Sequence, residues 1–397
     1  MHDLDALAAE LRARLLADAG DPVAPGTDAT ERIRALVDRE AAVLDAGARA
    51  ELVGRIAERA FGLGPLEPLL GDPAVEEVMV CGTAPVWIER AGRLERTAVR
   101  FARERDLRDA IERILAPLGR RVDEAEPLCD ARLPDGSRVN VVIPPLALDG
   151  PVLTIRRFRR RGFTADELVA NGTLTRPLLD FLVRAVRARA TVLVCGGTGS
   201  GKTTTLNALS SFIGAGERVV TIEDAAELRL RQPHVIRLEA RPPNLEGRGE
   251  VTIRRLVRNA LRMRPDRIVV GEVRGPEALD MLTALSTGHD GSLCTIHAGT
   301  AAEALRRVET LALMAGLGLP HAALREQVAD AFDLVVCQAR TADGARRVVG
   351  VAEVVRVAGG PAARELYAWR GGRGHWRAVL SDALAARLAT AGEAAAA

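Results

Sequence analysis

The chain has 397 residues, with 55 Lys plus Arg against 53 Asp plus Glu, and its formal net charge of +2 gives no global pull toward nucleic acid or an anionic membrane. Its 48% hydrophobic content suffices for the cores of two or three domains, while 3% aromatics leaves little for stacking on single-stranded nucleic acid. The five cysteines form no C-x-x-C pair, which predicts reduced thiols rather than a disulfide framework.

In chain order, residues 1–19 read as a charged, Ala-rich helix broken by the G-D-P-V-A-P-G-T run at 20–27. Residues 30–60 carry Ile33, Leu36, Val37 and Leu44, then Leu52, Val53 and Ile56, at helical spacing, with Gly47 as the interruption. This helical extension over 1–60 points to packing or interaction. The turn-rich stretch 62–73 opens a small α+β domain over 61–155. Strands are predicted at 77–80, 86–89 and 94–99, with Ala91 and Gly92 as a hairpin turn. A helix at 105–118 and two strands around Asp135 and Gly136, within 132–144, complete it.

An Arg-rich linker follows over 156–175. Arg159, Arg160 and Arg161 read as solvated linker charge, whereas Arg156, directly after a strand, is a candidate phosphate contact. Over 176–397 strands and helices alternate as in α/β proteins. Strands are predicted at 191–195, 218–223, 235–238, 267–271 and 292–296, with helices starting at Thr203, Thr252, Pro276, Ala301 and Leu324. The end of the chain predicts a hairpin within 347–357, a Gly-rich turn near Trp369 and Trp376, and a frayed Ala-rich tail. No run approaches the length of a membrane span and the first residues lack a secretory signal, so a soluble protein is expected.

The chemistry centres on C-G-G-T-G-S-G-K-T-T-T, from Cys195 to Thr205. Gly196, Gly201, Lys202 and Thr203 fit the phosphate-loop pattern between a buried strand and a helix. Gly196, Gly197, Thr198, Gly199, Ser200 and Gly201 form the loop, whose backbone N–H groups would cradle phosphates at a helix N-terminus. Lys202 would reach the β- and γ-phosphates of ATP, the Thr203 hydroxyl would hold Mg²⁺, and Thr204 follows in the first turn. Lys202 is also the sole lysine; every other basic side chain that carries a full charge is Arg. A compact ammonium fits a tight backbone cradle where a planar guanidinium does not.

An ATPase also needs acids past the ends of its strands. T-I-E-D-A-A-E-L offers Glu223, Asp224 and Glu227, and R-I-V-V-G-E-V-R offers Glu272, with Gly271 where a Walker B Asp is usual. Glu272 would polarise water around Mg²⁺, and Glu223 and Glu227 are both candidates for the general base. His289 and His297 bracket the next strand and read as phosphate sensors. Arg258, Arg262, Arg264 and Arg274 surround the Glu272 strand, one or two of them as candidates for the γ-phosphate.

Together these motifs, with D-A-R-L-P-D-G-S-R-V-N, R-P-P-N and L-R-M-R-P-D-R-I-V-V-G-E-V-R-G, resemble the type II/IV secretion ATPase superfamily. The likeness is greatest to its CpaF/TadA branch, the assembly ATPases of tight-adherence (Flp) pili, and spans roughly residues 60–355. The resemblance implies a homohexamer whose RecA-like P-loop ATPase domain, over 176–397, follows a small α+β, PAS-like N-terminal domain. It implies ATP and Mg²⁺, with nucleotide bound between the domains. Carried over by motif, Arg138 and Arg156 contact the γ-phosphate, Glu223 is the base, Glu272 the Walker B acid, His297 a phosphate sensor and Arg262 a further phosphate-side arginine. It further implies a cytoplasmic motor acting on an inner-membrane pilus or secretion platform, without direct nucleic acid. Cys81 and Ser286 stand where relatives commonly carry Asn. Two other readings are a DNA-handling or conjugative ATPase, disfavoured by charge and scarce aromatics, and a nucleotide-gated scaffold, disfavoured by Lys202, Thr203, Glu223 and Glu272.

Overall fold

A computed structural model of the chain describes residues 7, 10, 11, 27–61, 63–90, 92–158, 162–243 and 248–393. The chain divides into two compact units, Met1–Arg159 and Arg160–Ala397.

In the first unit, helices Thr27–Glu40 and Ala46–Phe61 share a core of Ile33, Leu36, Val37, Leu52 and Ile56. The break between them falls at 41–45, so Gly47 lies in the first turn of the second helix rather than interrupting it. The helix predicted over 1–19 lies outside the described residues except at 7, 10 and 11. The described residues then form an antiparallel sheet in the order β3-β2-β1-β6-β5-β4. Its strands are β1 Val75–Cys81, β2 Trp87–Arg90, β3 Arg93–Arg96, β4 Leu128–Arg132, β5 Arg138–Val142 and β6 Val152–Arg156. Ala91, in the predicted hairpin turn, lies outside the described residues.

Helix Glu104–Leu115 buries Leu107, Ala110, Ile111, Ile114 and Leu115 in one core with Val78, Ile88, Val139, Val141, Leu153 and Ile155 of the sheet. Side chains alternate along a strand, so the intervening residues share the other face. Register aligns one row there: Leu94, Glu89, Glu77, Arg156, Arg138 and Arg132, each paired with the next. Like charges directly opposite one another destabilise a sheet. Arg156, Arg138 and Arg132 are therefore three like charges on neighbouring strands, with Glu77 on the far side of Arg156.

The second unit is built on a sheet in the order β15-β14-β13-β12-β7-β11-β10-β8-β9. β7 Val192–Gly196, β8 Val219–Glu223, β9 Val235–Glu239, β10 Arg267–Val273, β11 Leu293–His297 and β12 Leu334–Arg340 run parallel. β13 Arg346–Val357, β14 Gly360–Arg370 and β15 Arg373–Trp376 extend them antiparallel. Both faces are covered, which is why the parallel strands read as continuous apolar runs. Val192, Val194, Val219, Val269 and Val336 pack in one core with helices Arg176–Arg187 and Lys202–Ser210. Leu193, Val220, Ile268, Ile296 and Val335 pack in another with helices Glu277–Leu285, Ala301–Leu313 and His321–Ala331. This is the mixed α/β arrangement that the alternation of elements predicts, with the RecA-like plan that the resemblance implies.

Two terminal expectations are corrected. Residues 346–357 are one long strand rather than a hairpin. Gly350 passes through it opposite Ala368, and the turn lies at 358–359, where Gly359 takes a φ of +96°. The Ala-rich tail is helical over Asp382–Glu393, with Leu384 and Leu388 in the same core as helix Arg176–Arg187. Residues 394–397 lie outside the described residues.

Candidate active site

β7 enters the loop at Gly196, where a Cβ would stand 2.3 Å from Gln338 O and 2.5 Å from Ser200 Oγ. Gly199 and Gly201 take φ of +68° and +97°, left-handed values that glycine alone adopts readily. Ser200 Oγ donates to Gly197 O at 2.8 Å and closes the loop around Thr198. Helix Lys202–Ser210 starts without a side-chain cap. Its first N–H groups, in the turn that holds Thr203 and Thr204, are thus left for an anion, and the helix dipole adds partial positive charge.

The Lys202 ammonium donates to Gly196 O at 3.1 Å and Gly197 O at 3.0 Å. It is buried, and desolvation lowers its pKa against the opposing pull of Glu272.

The parallel strands end on the edge that carries this loop. His297 closes β11 and is the register partner of Gly196. Its Nε2 lies 3.4 Å from Lys202 Nζ and 3.0 Å from Glu272 Oε1. Burial and the Lys202 charge hold His297 below the ordinary histidine pKa, with Glu272 opposing. The second oxygen of Glu272 accepts a 2.5 Å hydrogen bond from Arg274, whose other terminal nitrogen is 3.5 Å from Asp224. That bond raises the Arg274 pKa, so the site keeps a fixed positive charge beside Glu272.

Glu223 ends β8 and is 3% exposed. One carboxylate oxygen accepts from the N–H groups of Glu227 and Leu228, at 2.8 and 2.9 Å. The other has no partner among the described residues. Burial outweighs the two N–H groups and pushes the pKa up to about 7. A carboxylate with one free oxygen and a pKa near neutrality suits a general base. Glu227 meets Glu223 here through its backbone N–H. Gly271 is explained by the same side chain, since a Cβ there would stand 2.8 Å from Glu223 Cγ. The residue usual at that Walker B position has no room.

Not every predicted residue reaches this edge. His289 precedes β11 and His297 ends it, so the two occupy opposite edges of the sheet. His289 Nδ1 donates to Ala284 O at 2.9 Å and caps the preceding helix, which corrects the expectation that both histidines sense phosphate. Ser286 Oγ likewise donates within that helix, to Leu282 O. Arg262 is exposed just before β10, whose start is tied to β8 through Asp266 N and Arg218 O at 2.8 Å. It therefore lies on the strand-start edge, opposite Lys202, and the arginine this chain itself brings beside Glu272 is Arg274. Arg258 and Arg254 both clamp Asp280 at 2.6 Å. Arg138 and Arg156 stand side by side in the charge row of the first unit. Sequence reasoning missed Gln338, the β12 register partner of Gly196, which is 3% exposed. Its signal was an amide inside the apolar run L-V-V-C-Q-A-R.

The family described as type II/IV secretion system protein matches residues 59–360 of this chain. Over 334 residues the chain is 42% identical to the putative conjugal transfer protein Rv3659c of Mycobacterium tuberculosis (strain H37Rv), covering 82% of this chain and 94% of that protein. It is 39% identical over 320 residues to the type IV secretion system protein PtlH of Bordetella pertussis (strain Tohama I), covering 73% and 93%. The solved structure of the Legionella pneumophila ATPase DotB is similar in fold, with a TM-score of 0.54 and 23% identity over 73% of this chain and 79% of that one.

Proposed function

The chain belongs to the type II/IV secretion system protein family, and from that premise we propose that it is an ATPase powering secretion or pilus assembly. One observation carries the reading. Lys202, His297 and Glu272 converge beside a loop whose first glycine leaves no space for a side chain, with Glu223 at the end of a parallel strand in the same sheet. Lys202 binds the phosphates and Glu223 takes the proton of the attacking water. Glu272 would hold water around the metal, and His297 would register the γ-phosphate. Mg²⁺ keeps several waters and needs few protein ligands. The Thr203 hydroxyl and the Glu272 carboxylate suit that demand, and among the described residues no cluster of three metal-ligating side chains forms a cage. When bound, Mg²⁺ neutralises charge on the phosphate oxygens.

The charge row supports Arg138 and Arg156 as the arginines that the first unit supplies to the γ-phosphate. The proposed domain plan is a helical extension over 1–60, an N-terminal domain over 61–155, an Arg-rich linker over 156–175 and the ATPase domain over 176–397; within that linker, helix Ala165–Ala170 already packs in the core of the second unit. In this reading the protein is a cytoplasmic homohexamer of the CpaF/TadA type that works through inner-membrane platform proteins. Among the described residues no helix is long and apolar enough to cross a membrane.

The name of the mycobacterial relative supports a second reading, a conjugative ATPase. Steady-state ATPase rate against protein concentration, with light scattering on the same samples, tests the first. Specific activity that climbs as a six-subunit particle forms supports the ring motor. Flat activity from a monomer overturns it. A salt-sensitive affinity for DNA moves the conjugative reading ahead.

A further inference from the structure

Both fixed glycines of the loop motif meet the same residue. At Gly196 the obstacle to a Cβ is the Gln338 carbonyl, at 2.3 Å, and at Gly201 it is Gln338 Nε2, at 2.8 Å. The loop thus opens and closes against β12. The Gln338 side chain is 3% exposed and makes no hydrogen bond among the described residues, with Oε1 fully enclosed and unpartnered. An enclosed amide oxygen without a donor is costly, and such groups call for a reason beyond packing.

The reason lies in the other donor at the loop. Lys202 Nζ is bonded to Gly196 O and Gly197 O. An ammonium has three protons, and a nucleotide phosphate competes for them. As Lys202 turns to phosphate, a loop carbonyl loses a charged donor, and of the two acceptors Gly196 is a buried residue. The Gln338 amide has two N–H groups unspent and already touches the loop.

We propose that Gln338 is a positioning residue for the phosphate loop, whose amide replaces Lys202 as donor to the loop backbone when nucleotide binds. The inference rests on the ATP-binding reading of the same loop. It makes nucleotide affinity depend on a strand that joins the loop to the antiparallel extension β13–β15.

Gln338→Met is the test, because methionine keeps the length and removes every donor and acceptor. Calorimetric titration with ATP and Mg²⁺ is paired with thermal melting of the nucleotide-free protein. Two opposite effects are expected. Without nucleotide the variant melts higher than the parent, since an unsatisfied amide is gone. ATP binds about fivefold more weakly, the worth of one neutral hydrogen bond. ATP affinity unchanged in Gln338→Met overturns the proposal while leaving the ATPase reading intact. Weaker binding together with a lower melting point also overturns it, because that is what a purely structural side chain gives. Gln338→Leu checks that result with a second donor-free side chain. If the parent itself fails to bind ATP and matches Lys202→Ala, the ATPase reading falls and this inference falls with it.

Discussion

Lys202 Nζ lies 3.4 Å from His297 Nε2, across the register that pairs His297 with Gly196. The contact joins the group that would bind phosphate to one that would sense it. Lys202→Ala is expected to lower turnover at least about 100-fold, since the loop loses its only mobile charge. His297→Asn should lower kcat about tenfold or more and leave KM within about threefold, the pattern of an interaction made only in the transition state. Steady-state kinetics of the two variants check this. A raised KM with kcat intact would place His297 in ground-state binding.

Glu223 predicts opposite pH trends for rate and stability. Its pKa is raised to about 7 from an ordinary value of 4.5. As a base it works only when ionised, so kcat should rise as pH passes through about 7. Its contribution to stability is fully present below pH 4.5 and is lost as pH rises through the folded value. Melting temperatures without nucleotide should therefore fall from pH 5 to pH 8, and Glu223→Gln should flatten that slope and abolish turnover. Measuring both in a His297→Asn background removes the titration of the histidine beside Glu272 from the profile.

Gly271 offers a substitution that looks restorative. Gly271→Asp recreates the acid usual at this strand position, yet even a Cβ there would stand 2.8 Å from Glu223 Cγ. The variant should lose turnover at least about tenfold by displacing Glu223, while ATP binding at the separate loop survives. Gly271→Ala should lose less, in the same direction. Activity equal to the parent in Gly271→Asp would remove Glu223 as the base.

Arg138→Ala and Arg156→Ala should each keep ATP affinity within a few-fold and lose turnover about 100-fold or more. Arg156 makes no hydrogen bond or ion pair among the described residues, although Glu77 is its register partner and exerts a direct electrostatic pull. Removing it loses the Glu77 attraction and the Arg138 repulsion together, so the melting temperature should change little. Single-turnover ATPase assays and melting curves decide. Turnover unchanged in both variants ends the case for the arginine pair.

What the sequence made legible was local. The loop, its strand and its helix follow from glycine spacing and an apolar run. Glu223 and Glu272 were visible because each interrupts an apolar strand where it ends. What stayed hidden depends on neighbours far apart in the chain. β7 and β12 are adjacent although Cys195 and Cys337, a register pair, are 142 residues apart, so nothing near Gly196 announces Gln338. Which edge of a sheet a residue falls on is likewise not a property of its motif. His289 and Arg262 both looked close to phosphate because they flank the right strands at the wrong end. The hairpin was placed within 347–357, whereas that whole stretch is one strand and the turn follows it at 358–359.

Lys202 is the chain's only lysine, and it is buried with its ammonium held by the loop. An acylating reagent thus meets a single side-chain amine in the whole protein. Its rate of attack depends on how often that amine leaves the carbonyls and whether a phosphate then shields it. The phosphate loop is in this sense self-labelled: mass spectrometry of one acylation site follows its occupancy on the unaltered protein, with no fluorophore and no substitution.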